Sequence, residues 1–173
     1  MSTRALVMTI IGEDKPGLVD SLASLIREHG GNWLESRMCH LGGRFAGILR
    51  VEVPADQADP LTTALTNLKN RIGLTITVQH DRADSPKPDQ PFRLQLVGND
   101  RPGIISQISR TLALHHVNVE SLDTRTESAP MAGGTLFHAE ALLHLPPHCN
   151  TAALRHDLEK IAADLMVDLS LET

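Results

Sequence analysis

Tyrosine is absent from this 173-residue chain, tryptophan occurs once and phenylalanine three times. So few aromatics leave little to stack on nucleobases. Basic clusters are missing as well. The 16 Lys and Arg are outnumbered by 21 Asp and Glu, the formal net charge is −5, and no two basic residues adjoin. Phosphate neutralisation needs Lys and Arg gathered on one face, so direct nucleic-acid binding is not expected. Cys39 and Cys149 are too few for a disulfide scaffold and are expected as free thiols in a reducing, cytoplasmic compartment. No apolar run approaches the roughly 18–20 residues of a membrane span. The start of the chain, residues 1–7, lacks the apolar core and small-residue cleavage site of a signal peptide.

Signatures of catalysis and metal binding are equally thin. There is no G-x-S-x-G, no H-E-x-x-H and no Walker loop. Of the nine histidines, His138 and His144 share a strand face by parity. Six residues of extended chain put them about 20 Å apart, too far to share an ion. His144, His148 and Cys149 flank Pro146-Pro147 without the spacing of a zinc set. No catalytic residue and no metal are expected.

What the chain does have is a repeat. Gly12-Glu13-Asp14-Lys15-Pro16-Gly17-Leu18-Val19 recurs 86 residues on as Gly98-Asn99-Asp100-Arg101-Pro102-Gly103-Ile104-Ile105, and the same offset carries Asn32 to Asn118. A period this long is a duplicated domain rather than a solenoid repeat. Between the copies, residues 81–91 hold three prolines and several charges with almost nothing apolar, as an extended surface linker does. The organisation expected is a domain over 1–80, a linker over 81–91 and a second domain over 92–173.

Each half follows one order. In the first, residues 5–11 are apolar enough for a central strand, and Leu18, Leu22, Leu25 and Ile26 form a helical stripe ended by His29-Gly30-Gly31. Strands over about 32–39 and over 44–53 are joined through Gly42-Gly43. Asp59-Pro60 suggests an N-cap with proline at the first helical position, ahead of the stripe Leu61, Leu65, Leu68, Ile72. Leu74, Ile76 and Val78 then alternate as a half-buried closing strand. The second half has strands over 92–97, 118–125 and 135–145, the middle pair joined through Pro130 and Gly133-Gly134. Its helical stripes are Ile105, Ile108, Leu112 and Leu154, Leu158, Ile161, Leu165, and Val167, Leu169 and Leu171 alternate at the end. The order strand–helix–strand–strand–helix–strand predicts an α+β fold: two ferredoxin-like βαββαβ sandwiches in tandem, each one antiparallel sheet with two helices on one face. The open faces and edges of such sheets call for cover, so the halves are expected to pack on each other and the chain to form a homodimer.

The repeated loop has a chemistry of its own. Proline fixes φ, and the glycine after it permits close backbone approach. The helices starting after Gly17 and Gly103, at Leu18 and Ile104, offer unpaired N–H groups and a positive dipole end to a carboxylate. Asp14 or Asp100 suits an ammonium group, and Asn32 or Asn118 supplies a donor and an acceptor. Together they match the two charged ends of a free amino acid. The same residues serve equally well as a tight strand-to-helix turn, with Asp as a local cap and Asn bonded to nearby backbone. Trp33 is open to two roles, a ligand lid or dimer contact, or packing on the sheet.

A strand ending in Gly-x-Asp-(Lys/Arg)-Pro-Gly-(Leu/Ile), a helix, then Asn at the next strand resembles the ACT domain, a small regulatory module that senses amino acids in many metabolic proteins. A chain made of two of them, with Gly30-Gly31-Asn32-Trp33-Leu34-Glu35-Ser36-Arg37 and Asn118-Val119-Glu120-Ser121-Leu122, is similar to the glycine cleavage system transcriptional repressor family. The resemblance implies a non-enzymatic regulator that responds to a free amino acid, glycine or serine-like. It implies action through a protein partner, a transcriptional activator, rather than by reading DNA. Amino-acid-binding ACT domains commonly carry a polar residue, often His, at the position of Gly12 and Gly98, and often Asn at that of Asp14 and Asp100, so the resemblance leaves open a different ligand or an interface. Rival readings are a regulatory subunit of a metabolic enzyme and a relative of formyltetrahydrofolate deformylase, whose N-terminal region has a similar Asp-Arg-Pro-Gly loop.

Overall fold

The structure, a computed structural model, describes residues 2–81, 91–129 and 133–173. It comprises two compact units, Met1–Ala83 and Asp84–Thr173. The linker expected over 81–91 lies outside the described residues except for Asp81 and Pro91, and so does Pro130. Asp81 belongs to unit 1. Its N–H donates to the Ala5 carbonyl at 3.1 Å, and its carboxylate accepts from Arg50 Nη2 at 2.6 Å.

Unit 1 runs β1 (Thr3–Glu13), α1 (Leu18–Glu28), β2 (Asn32–Leu41), β3 (Arg44–Pro54), α2 (Ala58–Ile72) and β4 (Thr75–His80). Unit 2 repeats it as β5 (Phe92–Asn99), α3 (Ile104–Leu114), β6 (Asn118–Ser128), β7 (Thr135–His144), α4 (Thr151–Leu165) and β8 (Val167–Glu172). The strand orders are β2-β3-β1-β4 and β6-β7-β5-β8, antiparallel throughout. This is the βαββαβ arrangement that the hydrophobic periodicity predicts, formed twice. In each unit the first strand is central, and alternate residues on it are buried: Leu6, Met8 and Ile10 in unit 1, Leu94 and Leu96 in unit 2.

The helical stripes close over these rows. Leu18, Leu22 and Ile26 of α1 join Leu61, Leu65 and Leu68 of α2 in one core, and Leu154, Leu158 and Leu165 of α4 anchor the other. In α3 the buried stripe starts at Ile104, one residue ahead of the Ile105 that periodicity selects, and Ile105 is only half-buried. The start of α2 also differs from expectation. A 3-10 turn over Ala55–Gln57 runs straight into the helix, so Ala58 is the first helical residue and Asp59 lies inside the first turn rather than capping it. Pro60 is tolerated there because first-turn N–H groups have no intrahelical acceptor to lose.

The edge strands β2 and β6 carry a bulge at the same place. The ladder to β3 skips Leu34 between Trp33 and Glu35, and the ladder to β7 skips Glu120 between Val119 and Ser121. One extra residue reverses side-chain parity. Trp33 and Ser36, three apart, therefore both lie opposite buried residues, Val51 and Leu49.

The central strand of each unit passes hard against the junction of its second helix and closing strand. A Cβ on Gly12 would lie 2.7 Å from the Gly73 carbonyl oxygen, and one on Gly98 would lie 2.3 Å from Val167 Cγ1. No side chain fits either position. Gly98→Ala is expected to cost about 1–3 kcal/mol of stability through overpacking, measured as a fall in the urea midpoint. An unchanged midpoint would show that β8 gives way without cost.

Candidate functional site

The repeated loops leave β1 and β5 and enter α1 and α3 through a left-handed glycine, with φ of 87° at Gly17 and 97° at Gly103. Only glycine takes this conformation freely, which accounts for its place after proline. The Gly17 carbonyl accepts from Ser21 N–H at 2.9 Å, and the Gly103 carbonyl from Gln107 N–H at 3.0 Å. Neither helix has a side-chain N-cap. In contrast, α4 begins at Asn150, whose Oδ1 accepts from Ala153 N–H at 3.1 Å. The first turns of α1 and α3 thus keep N–H groups that no capping side chain takes, beginning at buried Leu18 and Ile104.

The acidic residue upstream is exposed in both loops. The Asp14 N–H donates to the Gly43 carbonyl at 3.2 Å, tying the loop to the β2–β3 hairpin, and its carboxylate lies 3.8 Å from His40 Nε2. The Asp100 N–H donates to the Thr135 carbonyl at 2.8 Å. Beside Asp14, the Lys15 ammonium sits 2.9 Å from the Glu13 carboxylate and, with Arg44 further off, holds Glu13 below the usual carboxylate range.

The two basic residues of the motif behave differently. Lys15 turns back to Glu13 on the surface. Arg101 reaches across unit 2 to the C-terminus of α4, where Nη2 donates to the Leu165 carbonyl and, at 3.4 Å, to that of Asp164. That helix ends on Met166 with φ 54°, a left-handed position that unit 1 gives to Gly73 at φ 78°. A cation on the last carbonyls complements the helix dipole where the cap residue is not glycine. Arg101 therefore clamps its loop to the helix beside it. Sequence alone gave no sign of this, since Lys15 and Arg101 stand at matching positions with the same charge.

Register settles where the asparagines lie. Asn32 pairs with Glu52, which pairs with Ala5, whereas Asp14 follows Glu13, which pairs with Arg44. Eight residues of β3 separate these levels, roughly 27 Å at the rise of an extended strand. Asn118 pairs with His144 and is displaced in the same way from Asp100, whose neighbour Asn99 pairs with Leu136. Each unit thus brings together Asp14, Gly17 and Leu18, or Asp100, Gly103 and Ile104, and places Asn32 or Asn118 at the far end of the sheet. One unit's loop and asparagine do not meet on a single amino acid, which corrects the combined constellation expected from sequence. The loop was legible because its residues are contiguous, but the asparagine's distance depends on strand register.

The remaining candidates have ordinary surroundings. Trp33 packs partly buried against the unit 1 core, with Nε1 donating to Ser36 Oγ at 3.3 Å. His144 bonds Glu120 through Nε2, and His138 bonds Glu127 at 2.7 Å. Among the described residues, no group of three or more His, Cys, Asp or Glu is placed to hold a metal ion, and no helix is long and apolar enough to cross a membrane.

Comparison with known proteins places this geometry. Residues 4–79 and residues 92–140 each match a family model described as ACT domain. The chain is 24% identical over 166 residues to the glycine cleavage system transcriptional repressor of Escherichia coli strain K12, covering 95% of this chain and 87% of that protein. It is 26% identical to phosphoserine phosphatase SerB2 of Mycobacterium tuberculosis over 97% of this chain but 40% of that enzyme. A crystal structure of an unknown protein from Galdieria sulphuraria matches with a TM-score of 0.87 at 28% identity, covering 99% of this chain and 98% of that one.

The Arg101 clamp makes a prediction. Arg101→Ala is expected to lower stability by about 1–2 kcal/mol, the scale of charge-assisted bonds discounted for partial exposure. Lys15→Ala, which removes only a surface pair, is expected to stay within about 0.5 kcal/mol. Equal thermal shifts in the two variants would show that the clamp contributes nothing.

Proposed function

Because the chain belongs to the ACT-domain family, with two such domains in tandem, we propose that it is a non-enzymatic, amino-acid-responsive regulator of glycine-cleavage gene transcription. Residues 1–80 and 92–173 form its domains, joined through 81–91, and it acts through a protein partner, a transcriptional activator. The observation that carries this reading is the extent of the likeness to the repressor, which runs through both units of this chain and most of that protein. The acidic charge and scattered basic residues argue the same way, since neither suits a DNA-reading surface.

The ligand in this reading is a small free amino acid, glycine or serine-like. Its carboxylate meets the N–H groups after Gly17 or Gly103, and its ammonium meets Asp14 or Asp100. Asn32 or Asn118 engages it only from another copy of the domain, because register holds each asparagine away from its own loop. This agrees with a homodimer. A second reading, a regulatory subunit of a metabolic enzyme, draws support from the likeness to part of a phosphatase.

Purified protein alone is expected to give no specific shift of a glycine-regulated promoter fragment at physiological salt, and a pull-down is expected to recover a transcription factor. A salt-resistant shift without partner would overturn the reading, and recovery of an enzyme instead would favour the second.

Calorimetric titration with glycine and serine tests the ligand. Asp100→Ala is expected to weaken binding roughly tenfold to a hundredfold, the worth of a charge-assisted contact, and Asn118→Ala to weaken it less. Both variants are expected to keep the parent melting temperature, as both residues are exposed. A fall in melting temperature with unchanged affinity would make the loops scaffolding.

A further inference from the structure

Unit 1 carries a groove between its two helices that neither the loops nor the asparagines line. It opens to solvent and holds about 270 Å³, room for about nine water molecules at liquid density. Leu25, Leu68 and Ile72 supply its apolar lining, and Ser21 and Ser24 two hydroxyls. Three charged residues complete it: Asp20 and Glu28 of α1 and Arg71 of α2. Although they share one space, Arg71 closes on neither carboxylate. Among the described residues, no ion pair or side-chain hydrogen bond occupies Asp20, Ser21, Ser24, Glu28 or Arg71.

The shared backbone plan does not require these charges. At the matching positions unit 2 has Ser106, Leu114 and Asp164, and Gln107 and Arg110 take the places of Ser21 and Ser24. Asp20 and Arg71 suit the helix ends they occupy, but Glu28 does not. It is the last residue of α1, where the helix dipole disfavours a carboxylate. Asp20 and Glu28 lie eight residues apart on that helix, about 12 Å along its axis. At the end of α2, Gly73 lies against Gly12 of β1, at the end of the sheet where α1 begins. Arg71 therefore stands at the Asp20 end of the groove, and Glu28 stands alone at the other.

We propose that the groove binds a singly positive molecule with one carboxylate, a cationic group beside it and a second cationic group at the far end of an aliphatic stem. Free lysine is the simplest. Its carboxylate meets Arg71, its α-ammonium meets Asp20, its stem lies over Leu25 and Leu68, and its distal ammonium meets Glu28. Length selects this occupant. Six bonds of about 1.5 Å set the two nitrogens of extended lysine roughly 7 Å apart. A charge-assisted bond of about 2.8 Å at each end brings the span close to the spacing of the two acidic residues. Glycine and serine are too short to reach both. The site is separate from the loops and stands whether or not they hold an amino acid.

Lysine, titrated into the full chain and followed by backbone amide NMR, is expected to give saturable shifts centred on residues 20–28 and 68–72. Equimolar glycine is expected not to displace it. Glu28→Gln is expected to keep or raise the melting temperature, because it removes a charge the helix dipole opposes, and to weaken lysine at least about tenfold. Ser24→Arg installs the unit 2 residue and provides the same test by filling the groove. Cadaverine, which lacks the carboxylate, is expected to bind more weakly than lysine to the parent and to gain affinity in Arg71→Met. Absent or non-saturable shifts, shifts centred outside the groove, full lysine affinity in either folded variant, or cadaverine equal to lysine in the parent would overturn the proposal.

Discussion

The candidate site depends on one close approach, that of the central strand to the junction of the second helix and closing strand in each unit. At Gly12 and Gly98 the strand backbone lies where any Cβ would strike the following helix end or closing strand. This contact brings β4 and β8 alongside the central strand and sets the height at which the Pro-Gly loop leaves it. It also leaves no room for a side chain at either position.

Periodicity made the fold legible, and packing at helix ends made the rest illegible. The stripes Leu61, Leu65, Leu68 and Leu154, Leu158, Leu165 point to the core from sequence alone, and they are buried. The repeat at 86 residues gave the duplication without reference to any structure. The start of α2 was misplaced because Asp59-Pro60 has the chemistry of a cap, while a 3-10 turn had already begun the helix. The bulges at Leu34 and Glu120 carry no sequence mark, and without them strand parity sends Trp33 and Ser36 to opposite faces. Within the loop the residues are contiguous, so their proximity is legible in the sequence, whereas the separation of Asn32 and Asn118 from it depends on strand register.

Duplication gave the two units one backbone plan and left their surfaces to diverge. On the open face of unit 1, Ile11 and Ile48 are 53% and 54% exposed. The matching positions in unit 2 are Val97 and Glu140, with Glu140 paired to Arg93. The interiors diverged in the opposite sense, since unit 1 is filled by Trp33 and Leu49 where unit 2 has Val119 and Ala141. On its open face unit 1 thus sets exposed Ile11 and Ile48 beside Arg37 and Arg50. Unit 2 has the Arg93–Glu140 pair on that face and carries its isobutyl group on Leu122, across the pair from Ala141. Two copies of one module need not carry one function.

Register then constrains any account of amino-acid response. The loop and the asparagine of one unit stand at opposite ends of a sheet, about five strand-widths apart. On the proposed amino-acid reading they would be two half-sites, and one with only backbone N–H groups and one exposed carboxylate would hold a small zwitterion weakly, because water competes for each contact. Closing a second half-site over the ligand would exclude that water and raise the affinity. A ligand completing such a site would shift the population of the associated state by its preference for that state, and strand register is what would impose the coupling.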